Sequence, residues 1–537
     1  MNRQDVDAVV VGAGFSGLYM LYRLREAGMT TRAFEAADGV GGVWYWNRYP
    51  GARCDSESIY YNYTFSKELF EEWSWSSRYP EQPEILDYLN HMADKFELKP
   101  HITFNTKVMK ASFHEDEDRW YVDTESGEQV RCKYFITGVG CISAANVPDI
   151  PGLDRFEGEW YHTGHWPHEK VDFTGERVGV VGTGSSGIQS IPVIAEEAEH
   201  LSVFQRTPQY SIPANNYPYS EEFKKQVKND YDTIRRQMRE SVAGLKFEYG
   251  DRCVLDDSPE KRYERLQDGW DKGGWHILFT YNDLLTNEEG NEKVASFVQD
   301  KIKEIVDDPD TAEKLTPDHY YGTKRAIVDT NYFETYNLPH VTLVDVKESP
   351  IQEITETGVK TSEGEYPLDA LVFATGFDGM TGSLFKMDIR GRRDLSLKDK
   401  WKDGEAVRTY LGLATAEFPN MFMLTGPESP SVLGNMPAAI EQHVEWVMDC
   451  IEDSEEEGVS VIEAEEEAEV EWSAHCREMA ESTLYIKTDS WYTGANIEGK
   501  AKGFPIYVGG YGPYRTICDE VREKNYEGFH RYQREEL

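Results

Sequence analysis

Three glycines near the start of the chain have the spacing of a phosphate-binding turn, in the segment DAVVVGAGFSG at residues 7–17. A β-branched run stops at Gly12 and a helical pattern begins after Gly14, which predicts a strand, a tight turn and a helix. Gly12 permits the turn, Gly14 lets the backbone approach a pyrophosphate, and Gly17 allows close helix packing. Glu35 follows Gly17 by 18 residues, where an acid binds ribose hydroxyls. The segment predicts a dinucleotide whose ribose carries no 2′-phosphate.

A second glycine motif, RVGVVGTGSSG at residues 177–187, repeats this spacing. Its glycines are Gly182, Gly184 and Gly187, and they predict a second dinucleotide site. The residue 19 positions past the last glycine is Arg206 rather than an acid. Because guanidinium pairs with phosphate in a bidentate way, this site is predicted to bind NADP rather than NAD.

Two further strand-like segments end in Thr-Gly, KYFITGVG at residues 133–140 and DALVFATGFD at residues 369–378. Each would close one nucleotide-binding lobe. Two lobes whose ligands meet at the carboxyl ends of their strands would bring a flavin to a nicotinamide, which is the geometry of hydride transfer. We therefore expect an α/β protein with two dinucleotide-binding, Rossmann-like domains.

The region between residues 220 and 319 departs from the α/β alternation and is expected to be a helical insertion. Its apolar residues recur at helical spacing and are expected to be core, namely Phe223, Val227, Tyr231, Ile234 and Met238, and later Val298, Ile302 and Ile305. The predicted domain limits are 1–148 with 376–537 for FAD, 149–217 with 323–375 for NADP (149–170 being a linker), and 218–322 for the insertion.

A longer motif lies between the two lobes, FEGEWYHTGHWP at residues 156–167, which has the pattern FxGxxxHxxxWP. With it the chain resembles the Baeyer–Villiger monooxygenases, flavoproteins that turn ketones into esters or lactones. Three other segments also look like family segments, GGVWYWNRYPGARCD at 41–55, GTKR at 322–325 and SWYTGAN at 490–496. The resemblance covers nearly the whole chain and is greatest to the branch of phenylacetone and steroid monooxygenases. It implies that His162 couples the motion of the lobes rather than acting as a base.

The resemblance implies a reaction in which NADPH reduces FAD, oxygen adds at the flavin C4a, and the resulting peroxide attacks a ketone carbonyl. Negative charge develops on the peroxide and again on the tetrahedral adduct, so a fixed cation beside the flavin should stabilise both. The family's active-site arginine matches Arg325, which would stay protonated in a dry pocket. Asp55 matches the family aspartate that orients this arginine through a charge-assisted hydrogen bond. We expect Arg325 and Asp55 to be the catalytic residues.

The resemblance also implies the residues that contact each cofactor. Those expected at FAD, besides the first glycine motif and Glu35, are Phe15, Ser16, Val43, Trp44, Tyr45, Trp46, Tyr61, Val108 and Met436. Those expected at NADP are Arg53, Asp55, Thr183, Gly184, Ser185, Ser186, Gly187, Ile188, Gln189, Arg206, Thr207, Lys324 and Trp491. The aromatic residues of the 41–55 signature could equally be plain core.

Alternatives from other classes remain open at this point. A related flavin monooxygenase that oxygenates nitrogen or sulfur needs no counterpart of Arg325, and its linker motif lacks the Trp166-Pro167 ending. A nucleotide-binding protein without turnover is disfavoured by the presence of Arg325 and Asp55, and a disulfide reductase by the lack of a CxxC pair. The segment GPESPSVLGNM at residues 426–436 resembles the longer pocket loop of the aryl-ketone and steroid-ketone branch, which favours bulky or aryl ketones.

The charge balance is the unusual bulk property, since 97 acidic residues against 56 Lys and Arg give a formal net charge of −41. Nucleic acid is an improbable partner for such a chain. So much self-repulsion would be screened by salt, and we expect a halophilic source. Seven scattered cysteines indicate neither a disulfide framework nor a metal site. No leader or apolar span is evident, so we expect a cytoplasmic monomer that binds no membrane, with a ketone and O₂ as substrates.

Overall fold

A computed structural model describes residues 4–533. The strands of this part of the chain are β1 (Gln4–Val11), β2 (Thr31–Phe34), β3 (Ile102–Thr103), β4 (Val108–His114), β5 (Arg119–Thr124), β6 (Gln129–Thr137), β7 (Glu159–His162), β8 (Arg177–Val181), β9 (His200–Gln205), β10 (Ser211–Pro213), β11 (Ile327–Asp329), β12 (Val341–Asp345), β13 (Ile351–Thr355), β14 (Gly358–Thr361), β15 (Glu365–Pro367), β16 (Ala370–Phe373), β17 (Asp388–Arg390), β18 (Met421–Met423), β19 (Val461–Ala464) and β20 (Phe529–Tyr532).

The α-helices of the same residues are α1 (Phe15–Glu26), α2 (Val43–Trp46), α3 (Lys67–Glu72), α4 (Gln82–Lys95), α5 (Ser185–Glu197), α6 (Glu221–Asn229), α7 (Tyr231–Glu240), α8 (Pro259–Lys272), α9 (Glu288–Ile305), α10 (Pro309–Leu315), α11 (Tyr332–Thr335), α12 (Gly382–Phe385), α13 (Leu397–Lys400), α14 (Met436–Glu456), α15 (Glu466–Glu481) and α16 (Tyr511–Glu523).

The first sheet combines strands from both ends of the chain. Strands β6, β1, β2 and β3 run parallel in that order, and the β-branched centre of β1 is fully buried. Strand β6 has two further partner strands, one after the other along its length. Its first half pairs antiparallel with β5, and its last residues pair parallel with β18. The register places Met421 opposite Phe135. The C-terminal region therefore returns to complete the first nucleotide-binding sheet.

The second sheet has five parallel strands in the order β12, β9, β8, β16, β7. Strand β8, helix α5 and strand β9 form the predicted strand, helix and strand around the second glycine motif. Both faces of such a sheet must be covered, and its core is correspondingly apolar, with Val178, Val180, Leu201 and Val203 fully buried. The two parallel sheets confirm the predicted fold class.

Residues 218–322 contain helices α6 to α10 and no strand in the structure. The predicted apolar stripe is divided at Asp230 between α6 and α7, and its residues Tyr231, Ile234 and Met238 are buried. They join a core cluster that also includes Tyr79 and Ala438 from the first domain. The insertion is therefore packed against the first domain rather than extended into solvent. The exact domain limits stay a prediction.

The acidic surface leads to a prediction about salt. At low ionic strength the net charge of −41 destabilises the compact state through self-repulsion. Raising KCl from about 0.05 to 1 M shortens the Debye length from more than 10 Å to about 3 Å. We expect the melting temperature to rise by several degrees, measured by differential scanning fluorimetry with sorbitol at equal osmolality as the control. An unchanged or lower melting temperature in KCl would contradict the predicted salt dependence.

In the part of the chain that the structure describes, no helix is both long and apolar enough to cross a membrane. Within the same residues, no three His, Cys, Asp or Glu side chains are grouped so that they could hold a metal ion.

Candidate active site

A large cavity lies where the strands of the two sheets end. Its volume is about 2570 Å³, well above the roughly 300–1,000 Å³ of a typical ligand pocket. The turns after β1 and β6 line one part, and the turns after β8 and β16 line another. The cavity is therefore large enough for more than one cofactor and is bounded by both glycine motifs.

The first glycine turn has the geometry that a pyrophosphate requires. Gly12 has φ +100°, and a Cβ on Gly17 would lie 1.9 Å from the Gly12 carbonyl oxygen. Helix α1 begins after Gly14 without a side-chain cap, so its first N–H groups are free to bind phosphate. The carboxylate of Glu35 accepts hydrogen bonds from the Ala13 N–H at 2.7 Å and the Ala37 N–H at 2.8 Å. Glu35 therefore fixes the turn and also lines the cavity.

The second glycine turn repeats this geometry. Gly182 has φ +106°, and a Cβ on Gly187 would lie 2.2 Å from the Gly182 carbonyl oxygen. Around Gly184 there is open space, since a Cβ there would meet nothing within 4 Å. Helix α5 also begins without a side-chain cap, and the Thr183 hydroxyl donates to the Thr207 carbonyl at 3.1 Å. Both turns therefore fit a dinucleotide pyrophosphate.

A cluster of cations lies at the second nucleotide site. Arg206, Lys324 and Lys347 all line the cavity. Burial, with contributions from Arg206 and Lys347, lowers the pKa of Lys324 to about 8. Burial, together with Lys324 and Lys347, lowers the pKa of His319 to about 3. In a chain of net charge −41, this local excess of positive charge marks an anion site.

The guanidinium of Arg325 is held by two partners in the same cavity. Its Nε and Nη2 donate to the two carboxylate oxygens of Asp55, each at 2.7 Å, and its Nη1 donates to the Val432 carbonyl at 2.7 Å. Burial alone would lower the pKa of Arg325, but the Asp55 carboxylate more than offsets this and raises it well above its usual range. The result is a fixed cation within the cavity.

Residues 41–55 join the two nucleotide sites. Trp44 donates from Nε1 to the Tyr61 hydroxyl at 3.0 Å. Gln189 on α5 accepts from the Tyr49 hydroxyl at 2.8 Å and donates to the Arg53 carbonyl at 3.1 Å. The position of the second glycine helix is therefore tied directly to this segment.

The segment around Trp491 forms a loop whose Trp491 side chain lines the cavity. A Cβ on Gly379 would lie 2.9 Å from the Trp491 ring. The loop is fastened by Asn496, whose Nδ2 donates to the Phe377 carbonyl at 2.8 Å, and by Lys500, whose Nζ donates to the Gly379 carbonyl at 2.8 Å. Trp491 is thus held against the turn that follows β16.

His162 does not line the cavity. Its Nδ1 accepts from the Gly164 N–H at 2.9 Å and its Nε2 contacts the Asn146 carbonyl at 3.2 Å. Burial lowers the pKa of His162 to about 4, so the imidazole is neutral at pH 7. Its contacts tie together the segments that connect the two domains.

The structure brings most of the sequence-predicted site residues to one cavity. Those that line it are Gly12, Gly14, Phe15, Ser16, Glu35, Val43, Trp44, Trp46, Arg53, Asp55, Tyr61, Val108, Thr183, Gly184, Ser185, Ser186, Gln189, Arg206, Thr207, Lys324, Arg325, Met436 and Trp491. Gly17 and Gly187 lie behind the turns, where they allow helix packing.

The side chains of two predicted residues, Tyr45 and Ile188, do not line the cavity, and their contacts with the cofactors stay a prediction. The Tyr45 hydroxyl donates to Asp38 at 2.5 Å. On helix α2 the Tyr45 side chain therefore points in a different direction from those of Trp44 and Trp46. Ile188 is fully buried in the core of the second domain, on the inner side of α5.

Sequence reasoning missed several contributors. The Val432 carbonyl, which binds Arg325, carries no side-chain signal, and Lys347 and His319 stand in no motif. Trp275 from the insertion lies with its ring centroid 4.8 Å from Arg325 Cζ. In the sequence, only the aromatic residue type of Trp275 and its position after two glycines set it apart.

Comparison with known proteins places this site in a class. The flavin-binding monooxygenase-like family matches residues 6–238. A Baeyer–Villiger monooxygenase of Pseudooceanicola batsensis is 45% identical over 97% of this chain and 95% of that protein. A phenazine N-monooxygenase of Lysobacter antibioticus is 44% identical over 98% of this chain and 97% of that protein.

Solved structures agree with these relatives. A closed crystal structure of cyclohexanone monooxygenase has a TM-score of 0.97 and 46% identity, covering 99% of this chain and 100% of that one. An oxidized steroid monooxygenase bound to NADP has a TM-score of 0.94 and 48% identity, with the same coverage. The fold and site therefore define a flavin-binding monooxygenase with two nucleotide-binding domains. Within that class, the chain belongs to the Baeyer–Villiger monooxygenases, which confirms the resemblance seen in the sequence.

Proposed function

We propose that Arg325 and Asp55 are the catalytic pair of this enzyme and that its substrates are bulky or aryl ketones. The enzyme is an FAD- and NADPH-dependent Baeyer–Villiger monooxygenase, which inserts one oxygen atom next to a ketone carbonyl. Bound NADPH supplies the reducing equivalents and bound FAD the chemistry with oxygen. The observation that supports the catalytic pair most is the bidentate contact of Arg325 with Asp55 in the cavity that both glycine turns share.

Arg325 would act by stabilising negative charge. Asp55 and the Val432 carbonyl take three of the five guanidinium N–H groups. The Tyr492 hydroxyl is a further partner of the guanidinium, and the N–H that then remains would point to an oxygen that becomes negative as the ketone carbonyl turns tetrahedral. Asp55 fixes the plane of the guanidinium, so that little reorganisation is needed during the reaction.

The two nucleotides are assigned by the residues that follow each turn. Glu35 beside the first turn suits the adenosine ribose of FAD, because a carboxylate there would repel a 2′-phosphate. Arg206 and Lys324 beside the second turn suit the 2′-phosphate of NADPH. Trp491 would cover the nicotinamide cofactor when its loop is closed.

The lowered pKa of Lys324 predicts how NADPH binding depends on pH. Lys324 is cationic below its pKa of about 8 and loses its charge as the pH rises through that value. We expect the KM for NADPH to rise about five- to tenfold between pH 7 and 9, since deprotonation above the pKa is tenfold per unit. NADH, which has no 2′-phosphate, should show little change.

Lys324→Arg provides the matched control for this pH dependence, because arginine keeps its charge to pH 9. Steady-state kinetics with both cofactors would measure it. A KM for NADPH that stays flat in the unmodified enzyme would contradict the assignment of Lys324 to the phosphate.

The substrate proposal is supported by the loop at residues 426–436. Its Val432 joins Cys141, Tyr485 and Tyr492 in an apolar cluster beside Arg325. The steroid monooxygenase structure is a second support, with 48% sequence identity to this chain against 46% for the cyclohexanone enzyme, although the latter has the higher TM-score. An apolar wall of this kind favours ketones with a large apolar group.

Product analysis would test the substrate class. Phenylacetone, a steroid ketone and cyclohexanone would each be given to the FAD-loaded enzyme with NADPH and oxygen, in molar KCl, and the products identified by mass spectrometry. We expect kcat/KM to be at least tenfold higher for the bulky ketones, with benzyl acetate as the product from phenylacetone. A preference for cyclohexanone would refute the substrate class but not the catalytic pair.

A second candidate is oxygenation of a ring nitrogen, which the phenazine N-monooxygenase relative favours. Phenazine in the same assay distinguishes the two. An N-oxide as the only product would replace the ketone proposal.

We further propose that the enzyme is a cytoplasmic monomer with the domain limits given above. If the enzyme is a monomer, sedimentation velocity in molar KCl would give a single species near the chain mass of 61.6 kDa.

A further inference from the structure

Trp275 is the one aromatic residue that the structure places over the guanidinium of Arg325 among the described residues. Its ring centroid lies 4.8 Å from Arg325 Cζ, within the range of a cation–π contact. Its side chain is only 3% exposed. Cation–π attraction is strongest when both groups are shielded from water, so this contact is in the favourable regime.

The backbone before Trp275 explains how it reaches this position. Helix α8 ends at Lys272, and the next two residues, Gly273 and Gly274, both have positive φ, at +67° and +63°. A Cβ on Gly273 would lie 2.2 Å from the Pro213 carbonyl oxygen, and one on Gly274 would lie 2.2 Å from the Tyr79 hydroxyl. Only glycine therefore fits both positions, and the pair turns the chain sharply from α8 into the core.

Trp275 and Arg325 lie on different sides of the cavity wall. Arg325 lines the cavity, whereas Trp275 belongs to the core cluster of the insertion and contributes nothing to that lining. Asp55 and the Val432 carbonyl bind the edges of the guanidinium, and its Cζ lies over the face of the indole ring.

We propose that Trp275 is a positioning residue for catalysis, which holds the Arg325 guanidinium in its plane through a cation–π contact and so links the helical insertion to the active site. The inference rests on the proposed role of Arg325. Asp55 and Val432 hold the guanidinium along its edges, and the indole contact adds a third restraint from another side. The insertion thereby acquires a role beyond enclosing the cavity.

The decisive experiment changes the electrostatics of the ring without changing its shape. Tetrafluorotryptophan incorporated at position 275 alone keeps the indole skeleton and removes most of the negative potential of its face. We expect kcat for ester formation to fall about 10- to 30-fold, with the KM for NADPH and the rate of flavin reduction unchanged. A wild-type kcat in the fluorinated enzyme would overturn the proposal.

Conventional variants supply the second measurement. Trp275→Phe keeps an aromatic face and should retain most of kcat, whereas Trp275→Leu should lose at least tenfold. Trp270→Leu is the matched control, because Trp270 lies in the same insertion and packs on Phe297, away from Arg325. Equal losses in Trp275→Phe and Trp275→Leu would show a role in packing alone and overturn the proposal.

Arg325→Ala assayed in parallel separates two kinds of failure. If it still forms ester, the proposed function of Arg325 falls. If Arg325→Ala is inactive while the fluorinated enzyme is fully active, only the proposed role of Trp275 is refuted.

Discussion

Replacing Arg325 by alanine should abolish ester formation while bound flavin is still reduced by NADPH. The guanidinium is the fixed cation of the cavity, and one preorganised donor of this kind contributes about 3–4 kcal/mol to transition-state stabilisation. The rate of ester formation should therefore fall by at least about 10²–10³-fold. Reduction of the flavin needs only the two nucleotides and should change little. Anaerobic stopped-flow absorbance measures the reduction, and mass spectrometry of the product measures the ester.

Controls must separate this catalytic loss from a loss of stability. Arg325→Ala leaves the Asp55 carboxylate without its partner in a largely buried position, which destabilises the fold. The double variant Arg325→Ala with Asp55→Asn removes both charges and should remain as inactive. Arg239→Ala breaks a comparable ion pair, since Arg239 donates to Glu445 at 2.9 Å outside the cavity, and should keep ester formation. Ester formed at the normal rate by Arg325→Ala would refute the catalytic assignment.

The nucleotide turns could be predicted from sequence because everything that defines them is local. Gly12, Gly14 and Gly17 lie within six residues, and the steric reasons for each glycine act across the same turn. The strand that carries the turn could be predicted equally well, since a β-branched run ending at glycine predicts a buried parallel strand. What sequence could not show is that β18, more than 280 residues after its partner strand β6, completes this sheet.

The catalytic pair illustrates the opposite case. Asp55 and Arg325 are separated by 270 positions, and no periodicity or spacing connects them. Only the resemblance to a family identified both as site residues, and only the structure showed the direct contact between them. The Val432 carbonyl was inaccessible even to that argument, because a backbone oxygen has no residue type.

Tyr45 and Ile188 show that a motif does not fix the direction of every side chain in it. Four consecutive residues of a helix face different directions, so a signature that contributes Trp44 and Trp46 to a cavity must point Tyr45 elsewhere. Ile188 likewise follows the phosphate turn but faces the core of the second domain. A motif therefore identifies a segment, and helix geometry decides which of its side chains reach the ligand.

Replacing Arg206 by alanine should raise the KM for NADPH about 10- to 100-fold and leave that for NADH nearly unchanged. A charge-assisted contact to a phosphate contributes about 1.5–3 kcal/mol, and tenfold corresponds to 1.4 kcal/mol. Arg206 also lowers the pKa of Lys324, but Lys324 is already mostly protonated at pH 7, so its charge should change little when Arg206 is removed. Steady-state kinetics with each cofactor at pH 7 would measure the discrimination.

The surrounding charge makes this effect depend on salt in a way that identifies its origin. Arg206 is exposed, so its attraction for the phosphate weakens through screening as ionic strength rises. The same salt should stabilise the folded protein, because it screens the self-repulsion that comes with a net charge of −41. The difference between Arg206→Ala and the unmodified enzyme should therefore be largest at low salt and shrink in molar KCl. Arg236→Ala, an exposed arginine on α7 outside the cavity, controls for the change in net charge. Equal effects of Arg206→Ala on NADPH and NADH would mean that the arginine acts on the fold of the turn rather than on the 2′-phosphate.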